Sequence, residues 1–481
     1  MRRPAKGLLS RKHPTLDGLL LQPHAHAQQT RLRHAAETLR LAGPLAVAQL
    51  AGMAMGVTDT VLLGALGGDA LAAGGMGSML FITVTILLQG MLAAVSVVVS
   101  QARGAGRDDA VPAAYWAGLG MALLLSVPAF LLFSLAEPLL RLAGQPPELA
   151  RDAGAFLHVL RWAAPGAMVA IGLMRAFMPA IGQGAALLWV ALATVPLNGA
   201  LCWGLIHGTP VFGTWGLPAM GLRGPAVATV IVETAMALAL LAWLHGRPVL
   251  RRFVVPCRPG LPLLRRMLAL GVPVMGTFAV ETGLFLGIGL LVGRLGTGPL
   301  AAHQIALSLT SVSFMIPLAL SQAANVRVGN RVGAGDPAGA RRAGLVAIVL
   351  AGVTEAAAAA VLVLAPVALA SLYLDPALPQ NAEAFRTALA LMAIAAVFAV
   401  SDGVQSAAAG ALRGLGDTRV PFLLAAFSYW GVGFPAAWWL SSEAGLGAAG
   451  AWWGLAGGLM LAAALLTLRF VRRRARTTVP G

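Results

Sequence analysis

Three carboxylates lie in stretches whose other residues are typical of membrane-spanning helices. They are Asp59 in GVTDTVLL, Glu281 in FAVETGLF and Asp402 in VFAVSDGVQ. A charged group held in lipid costs several kcal/mol, so such acids usually mark a pathway for ions or substrate. We therefore expect these three residues to couple the movement of a cation or a proton to transport.

Polar side chains at helical spacing accompany two of these acids. Thr277 stands one turn before Glu281, and Gln405 follows Asp402 at a spacing of three. Two carboxylates with hydroxyl and amide oxygens can hold Na⁺ or a proton, so Glu281 and Asp402 are also possible Na⁺ ligands. Asp59 has no such acidic partner, and we expect it to carry a proton.

A further set of side chains is expected to line a substrate cavity. They are Gln49, Met55, Gln89, Asn198, Thr277, Gln405 and Tyr429. Methionine and aromatic surfaces suit flat organic cations. For the amides, hydrogen bonding between helices is the alternative role. Two more intramembrane acids, Glu233 and Glu355, have no neighbours that suggest a site, and we expect them to be structural.

Composition places the chain in a membrane. Apolar residues make up 58% of it, charged residues 11%, and the mean hydropathy is +0.80. A soluble domain carries about a quarter charged residues. The fold class is therefore an all-α polytopic membrane protein with twelve transmembrane helices. The apolar windows lie near 43–66, 78–100, 112–136, 156–178, 186–208, 222–245, 269–294, 304–328, 343–370, 386–411, 419–440 and 449–471.

The net charge of +16 reflects membrane topology and not a nucleic-acid partner. Arginines cluster in alternate loops, for example at 247–266 and 469–476, whereas the loops between them are acidic. This positive-inside pattern predicts a multi-pass protein of a bacterial inner membrane with both termini in the cytoplasm. The two cysteines suggest no disulfide or metal framework. We expect no cofactor beyond the coupling ion, no partner beyond lipid and substrate, and a functional monomer.

The chain contains an internal repeat. Pro44 in LAGP returns as Pro273 in LGVP, 229 positions later, and LAA at 71–73 and GAG at 104–106 recur with the same offset. An even number of spans separates the copies, so the repeats are parallel and form two lobes of six helices. Asp59 and Glu281 have no acidic counterparts at the equivalent positions of the repeat. This asymmetry is expected of residues with a functional role and not of residues needed only for folding.

The repeat and the charge pattern together predict the domain boundaries. The first 40 residues are basic and lack a signal-peptide core. We expect them to form a cytoplasmic tail, with an amphipathic segment at RLRHAAETLR as the alternative. The predicted units are a tail at 1–40, lobes at 41–246 and 267–471, a basic linker at 247–266 and a basic tail at 472–481.

Several of these motifs closely resemble the multidrug and toxic compound extrusion (MATE) family, in its NorM-like bacterial branch. They are TDTVLLGALGGDALAA, ETGLFLGIGLL, SDGVQSAAAGALRGLGD and the block LAAHQIALSLTSVSFMIPLALSQAANVRVGNRVGAG. The resemblance runs from about residue 35 to 471. It implies twelve-helix exporters of organic cations, often drugs and dyes, driven by inward flow of Na⁺ or H⁺.

The resemblance also assigns roles to residues. The family's acids in helices 1, 7 and 10 fall on Asp59, Glu281 and Asp402, and its polar position in helix 5 falls on Asn198. A sister branch keeps the helix 1 acid and lacks the other two, whereas this chain has all three. Glu355 matches no family position.

Two other functions are open to a chain of this kind. A lipid-linked precursor flippase of the same superfamily would carry arginines inside its cavity, whereas the arginines here are expected to stay largely in loops. An intramembrane aspartyl protease is suggested by GLGD at 414–417 and PAL at 376–378. Those motifs stand in reversed order, and Asp417 falls in a loop at a helix end.

Overall fold

A computed structural model describes residues 22–212 and 215–473, with no account of side chains at 22–31 and 209–217. Twelve helices in this part of the chain are long and apolar enough to cross a membrane. We number them α1 to α12. Their bounds are Leu32–Gly64, Gly68–Gly104, Asp108–Ser134, Pro147–Ala180, Gly184–His207, Arg223–Gly246, Leu261–Gly293, Thr297–Gly333, Pro337–Leu364, Pro379–Gly414, Arg419–Ser442 and Gly447–Arg472.

The connections between the twelve helices are short. Small helices span Ala136–Leu142, Pro248–Arg251 and Pro366–Ser371. Between α5 and α6, the strands β1 (Thr209–Phe212) and β2 (Trp215–Leu217) form an antiparallel hairpin. This hairpin is a small addition to the predicted all-helical fold.

The predicted fold class is confirmed, and the helices extend beyond the predicted apolar windows. The helix that contains α1 extends back to Gln22, within the predicted tail. Residues 1–21 and 474–481 lie outside the described part of the chain. The fourth span begins at Pro147 instead of near 156. Backbone hydrogen bonds continue a helix into polar sequence, whereas a hydropathy window ends where the apolar side chains end.

Small residues let the helices approach one another. In the C-terminal lobe, α10 packs against α8, α9 and α12. A Cβ at Gly410 would lie 2.2 Å from the backbone oxygen of Ser321 on α8, so only glycine fits there. Membrane helices commonly pack through such small residues, because lipid offers no hydrophobic drive for their association.

We call the membrane face where α1 begins and α12 ends the basic face. It carries Arg107, Arg252, Arg331, Arg419 and Arg472. In the half of the bundle next to it, α2 of the first lobe lies against α8 of the second. A Cβ at Gly104 would lie 1.9 Å from the Asn330 backbone oxygen. The hydrogen bonds that join the lobes within the described residues all lie in this half, so the two lobes close at the basic face.

Two of these bonds involve one glutamine. Gln101 on α2 donates through Nε2 to the backbone oxygen of Gly414 at 3.0 Å, and its Oε1 accepts from Arg266 at 2.7 Å. Gly414 belongs to the second lobe, and Arg266 lies at the end of the linker, near the start of α7. The closure is therefore built from directed polar contacts as well as from close backbone packing.

Candidate functional site

Asp59 on α1 is half-buried against α5. Its Oδ1 accepts a hydrogen bond of 2.7 Å from Nδ2 of Asn198, which is fully buried. The thiol of Cys202, one turn further along α5, contacts the same carboxylate. A Cβ at Gly199 would lie 3.6 Å from Cγ2 of Thr58, an ordinary van der Waals distance, so the helices are in contact at this point. The structure thus brings together two residues that the sequence singled out on different helices.

Asp402 on α10 is the centre of a second acidic group, in the C-terminal lobe. Its side chain is only 6% exposed, and its Oδ1 has no hydrogen-bond partner among the described residues. Two other carboxylates, Glu281 on α7 and Glu355 on α9, act on it electrostatically. We call Glu281, Asp402 and Glu355 the C-lobe acids.

Glu355 lies nearer to these acids than its sequence neighbours suggested, and its expected structural role stays a prediction. It was expected to have a local structural role, with no site around it, yet it is 1% exposed and packs beside Asp402. A Cβ on Gly403 would lie 2.6 Å from Cγ of Glu355, so the glycine after Asp402 leaves room for this side chain. Ser313 on α8 donates to Glu355 Oε2 at 3.0 Å. The one feature of the sequence that pointed to Glu355 was an acidic residue within an apolar span.

Glu281 has a positive partner. It interacts electrostatically with Arg413 on α10, whose guanidinium also donates to the hydroxyl of Ser321 at 2.7 Å. Arg413 lies just beyond the predicted apolar window at 386–411, yet α10 continues to Gly414, so this arginine stands on a helix and not in a loop. A cation near an acid inside the bundle reduces the cost of holding both charges in the membrane.

Tyr429 and Gln405 close the group on its α11 side. Both are buried, and Gln405 Nε2 donates to the Tyr429 hydroxyl. Tyr429 lies in a π-helical segment, Phe427–Gly433. Such segments are frequent at functional sites. The next residue, Trp430, donates through its indole nitrogen to the backbone oxygen of Val280 at 3.0 Å, which fixes α11 against α7 beside Glu281.

A separate chamber lies between the lobes, with a largely apolar lining that includes several polar side chains. It has a volume of about 90 Å³, and its lining includes Gln89, Arg175, Gln322, Asn325 and Arg413. The expectation that arginines stay largely in loops therefore fails for two of them. Arg175 is accommodated because the carboxylate of Glu233 on α6 interacts electrostatically with it.

The remaining predicted residues are dispersed. Gln49 is buried on α1, and its Nε2 has no partner among the described residues. Met55 is half-buried one turn before Asp59. The Thr277 hydroxyl donates to the backbone oxygen of Pro273 at 3.0 Å. Its hydrogen bond is therefore made within α7, one turn from Glu281. The structure does not bring these residues into a single cavity.

The C-lobe acids do not converge on one point. Across residues 22–212 and 215–473, no three His, Cys, Asp or Glu side chains are grouped as they would be around a bound metal ion. A Na⁺ at Glu281 and Asp402 would therefore draw its other ligands from amide, hydroxyl or backbone oxygens, as a hard cation readily does. The donor types present fit either Na⁺ or a proton.

Two six-helix lobes with acids buried in both define a polytopic membrane transporter. Solved structures share this fold. The eukaryotic MATE transporter AtDTX14 aligns with a TM-score of 0.82 at 22% identity, covering 92% of this chain and 97% of its own. A structure titled as the outward-facing conformation of a multidrug resistance MATE family transporter aligns with a TM-score of 0.82 at 19% identity, covering 91% and 95%.

The sequence places the chain within a family. The MatE family model matches residues 44–203 and 273–439, one segment in each lobe. A probable multidrug resistance protein NorM of Burkholderia mallei is 54% identical over 93% of this chain and 94% of its own. One of Pseudomonas aeruginosa is 41% identical over 91% and 89%. The chain belongs to the MatE family, which confirms the resemblance read from its motifs.

Proposed function

We propose that this chain is a secondary active antiporter that exports organic cations in exchange for Na⁺ or H⁺ by alternating access. The observation that carries the proposal is the buried Asp402, whose Oδ1 has no partner among the described residues. An uncompensated carboxylate in a membrane interior requires a mobile positive charge to neutralise it. The names of the relatives, multidrug resistance proteins, support the substrate class.

The basic face is the cytoplasmic face in this proposal, and the membrane is the bacterial inner membrane. Arginine-rich connections such as 247–260 support this orientation through the positive-inside rule. With both termini inside, the structure corresponds to a state that is closed toward the cytoplasm. The neutralising ion would then reach the acids from the outer side.

The lobes at 41–246 and 267–471 are the moving units, and 247–266 is the linker between them. The linker is anchored to the first lobe at several points. The Trp116 indole donates to the backbone oxygen of Val255 at 3.1 Å, Arg252 pairs with Asp108 at 3.5 Å, and Arg266 donates to Gln101 at 2.7 Å. A rocking motion would therefore carry the linker with the first lobe and bend the chain near the start of α7.

The cycle follows from charge neutralisation. An apolar cation enters from the cytoplasm or inner leaflet and is held by the negative field of the acids. The coupling ion entering from outside neutralises Asp59 or the C-lobe acids, weakens that hold and favours release outward. The membrane potential supplies about 2.3 kcal/mol per charge per 100 mV, which is about 50-fold accumulation for each net charge moved.

The other two functions fit less well. Asp417, the aspartate of the protease-like GLGD, is 5% exposed and pairs with Arg469 at 2.8 Å and with Arg473. It is thus an ion-paired loop residue and not a free catalytic acid, and the family consists of transporters, not enzymes. The flippase is disfavoured because the acids outnumber the arginines beside Asp402.

One reconstitution experiment tests the proposal. The purified chain is placed in liposomes with a fluorescent organic cation, and a pH gradient and a Na⁺ gradient are imposed separately. Uphill movement of the cation with one of these gradients is expected, and the effective gradient identifies the coupling ion. No uphill movement with either gradient would refute antiport of organic cations.

A further inference from the structure

We infer that Glu355 is a third carboxylate of the C-lobe ion site, and that it raises the number of positive charges taken up by this lobe per cycle from one to two. The inference rests on the proposed function. It adds a residue that matched no family motif, and it assigns to that residue the charge stoichiometry of transport.

The position of Glu355 supports a role in this site. The side chain is 1% exposed and reaches α10 beside Gly403, the residue after Asp402. Its Oε2 accepts from Ser313 on α8 at 3.0 Å. Elements on both sides of α9 thus present polar groups to this carboxylate, and an electrostatic interaction links it to Asp402.

A count of the charges in this region leaves two acids uncompensated. Arg413 acts electrostatically on Glu281, although the two form no direct ion pair among the described residues. The groups facing Asp402 and Glu355 are the carboxylate of Glu281, the hydroxyls of Ser313 and Tyr429, and each other. Neither acid has an ion pair or an electrostatic interaction with a cation among the described residues. Two carboxylates in a membrane interior without a counter-cation require two positive charges from outside.

A second observation points to a missing positive ligand. Asp402 is 6% exposed, and its Oδ1 is buried with no hydrogen-bond partner in the described structure. Buried polar atoms are usually satisfied, so this oxygen is available to a bound ion or proton. The three acids do not converge as ligands of one metal ion within the described residues. The two charges are therefore held separately, one at each uncompensated acid.

Glu233 is a buried acid whose surroundings differ in charge, although its Oε2 also lacks a hydrogen-bond partner among the described residues. Glu233 on α6 is 7% exposed and interacts electrostatically with Arg175 on α4. That pair is neutral as a unit and needs no mobile charge. Glu355 lacks such a cation and shares its surroundings with another acid, which is the arrangement expected of an ion carrier.

Voltage dependence measures the stoichiometry directly. The full chain is reconstituted in liposomes with the monovalent cation ethidium, with no pH or Na⁺ gradient, and the voltage is set with potassium and valinomycin. The steady-state ethidium gradient is recorded against voltage. For Glu355→Gln we expect the slope to fall by one elementary charge, so that the gradient at 100 mV is about 50-fold smaller than in the wild type.

Two variants provide the comparison. Glu355→Asp keeps the carboxylate and should keep the wild-type slope, and so should Glu443→Gln, which removes an exposed acid outside the bundle. An unchanged slope in Glu355→Gln overturns the inference. If that variant does not fold, the wild type alone still tests the inference. Two positive charges moving inward for each ethidium moving outward make the exchange electrogenic. A wild-type ethidium gradient that does not depend on voltage therefore overturns the inference.

Failure of the proposed function has a different signature. If wild-type protein shows no ion-driven ethidium movement under any gradient, antiport itself is refuted. If the wild type drives movement and Asp402→Asn abolishes it while Glu355→Gln leaves the slope unchanged, only the role of Glu355 is refuted.

Discussion

Arg327 on α8 donates through its guanidinium to Glu37 Oε2 on α1 at 2.6 Å, across the boundary between the two lobes. The same guanidinium donates to the backbone oxygen of His34 at 2.8 Å, contacts the His34 ring, and donates to the hydroxyl of Thr38. Arg327 is 9% exposed. One side chain of the second lobe is therefore held at several points by the first turns of α1.

We call the contacts of Arg327 with His34, Glu37 and Thr38 the clasp. The clasp should stabilise the state that is closed at the basic face. A hydrogen bond to a charged group contributes about 1.5–3 kcal/mol. Arg327→Ala should therefore shift the equilibrium toward opening at the basic face by tenfold or more. Spin labels at the exposed positions Asp109 and Ala338, one in each lobe, would report longer distances in the variant by double electron–electron resonance.

A matched arginine controls for general loss of charge. Arg331 on the same helix pairs with Asp336 at 3.2 Å within its own lobe. Arg331→Ala should leave the distance distribution unchanged. If Arg327→Ala and Arg331→Ala have the same effect, the clasp does not hold the lobes together.

Close backbone packing at the same face gives a second prediction. A Cβ at Gly104 would lie 1.9 Å from the Asn330 oxygen, whereas a Cβ at Gly120 on α3 would meet no atom within 4 Å. Gly104→Ala should separate α2 from α8 and reduce dye efflux by about tenfold, the effect of about 1.4 kcal/mol. Gly120→Ala should leave efflux unchanged. Equal efflux in the two variants would show that this contact is dispensable.

The hydrogen bond between Asn198 and Asp59 predicts a transport defect. Asn198→Ala removes the donor to a half-buried carboxylate, and we expect efflux to fall by about tenfold because such bonds contribute about 1.5–3 kcal/mol. The exposed Thr60, whose hydroxyl bonds to the backbone oxygen of Gly56, serves as the control in Thr60→Val. Wild-type efflux in Asn198→Ala would remove Asn198 from the site.

The buried pair of Gln405 and Tyr429 predicts a loss of stability. Tyr429→Phe leaves the buried amide of Gln405 without its acceptor, and an unsatisfied buried group costs about 1–3 kcal/mol of unfolding free energy. Thermal unfolding in detergent should show a clear decrease. Tyr373→Phe is the comparison, because Tyr373 is 46% exposed and bonds to Ser308 at the surface. A similar decrease in both variants would contradict the specific role of the buried pair.

The sequence was sufficient for the fold because each apolar span is long and separate. It was insufficient at helix ends. The N-terminal part of α1 makes tertiary contacts such as that of Glu37 with Arg327, which no local pattern reveals. The end of α10 was missed for a similar reason. Arg413 lies outside the apolar window, yet Ser321 accepts its hydrogen bond and Glu281 interacts with its charge inside the bundle.

The candidate site was partly predictable. An acid in an apolar span identifies itself, so Asp59, Glu281 and Asp402 could be selected from residue type alone. Which acids meet depends on helix packing, and the place of Glu355 beside Gly403 could not be read from AGVTEAAAAA. Gln49 and Thr277 show the converse, because polar residues in a span can satisfy their own helix or remain away from the site.

The most direct test concerns Asp402, the acid with the unpartnered oxygen. Asp402→Asn is expected to abolish ion-coupled dye extrusion in everted membrane vesicles while expression stays near the wild-type level. The reason is that the amide carries no negative charge with which to attract a coupling ion or take up a proton. Glu443→Gln, on an exposed connection, should extrude dye as the wild type does. Extrusion retained by Asp402→Asn at the rate of the Glu443→Gln control would contradict the account.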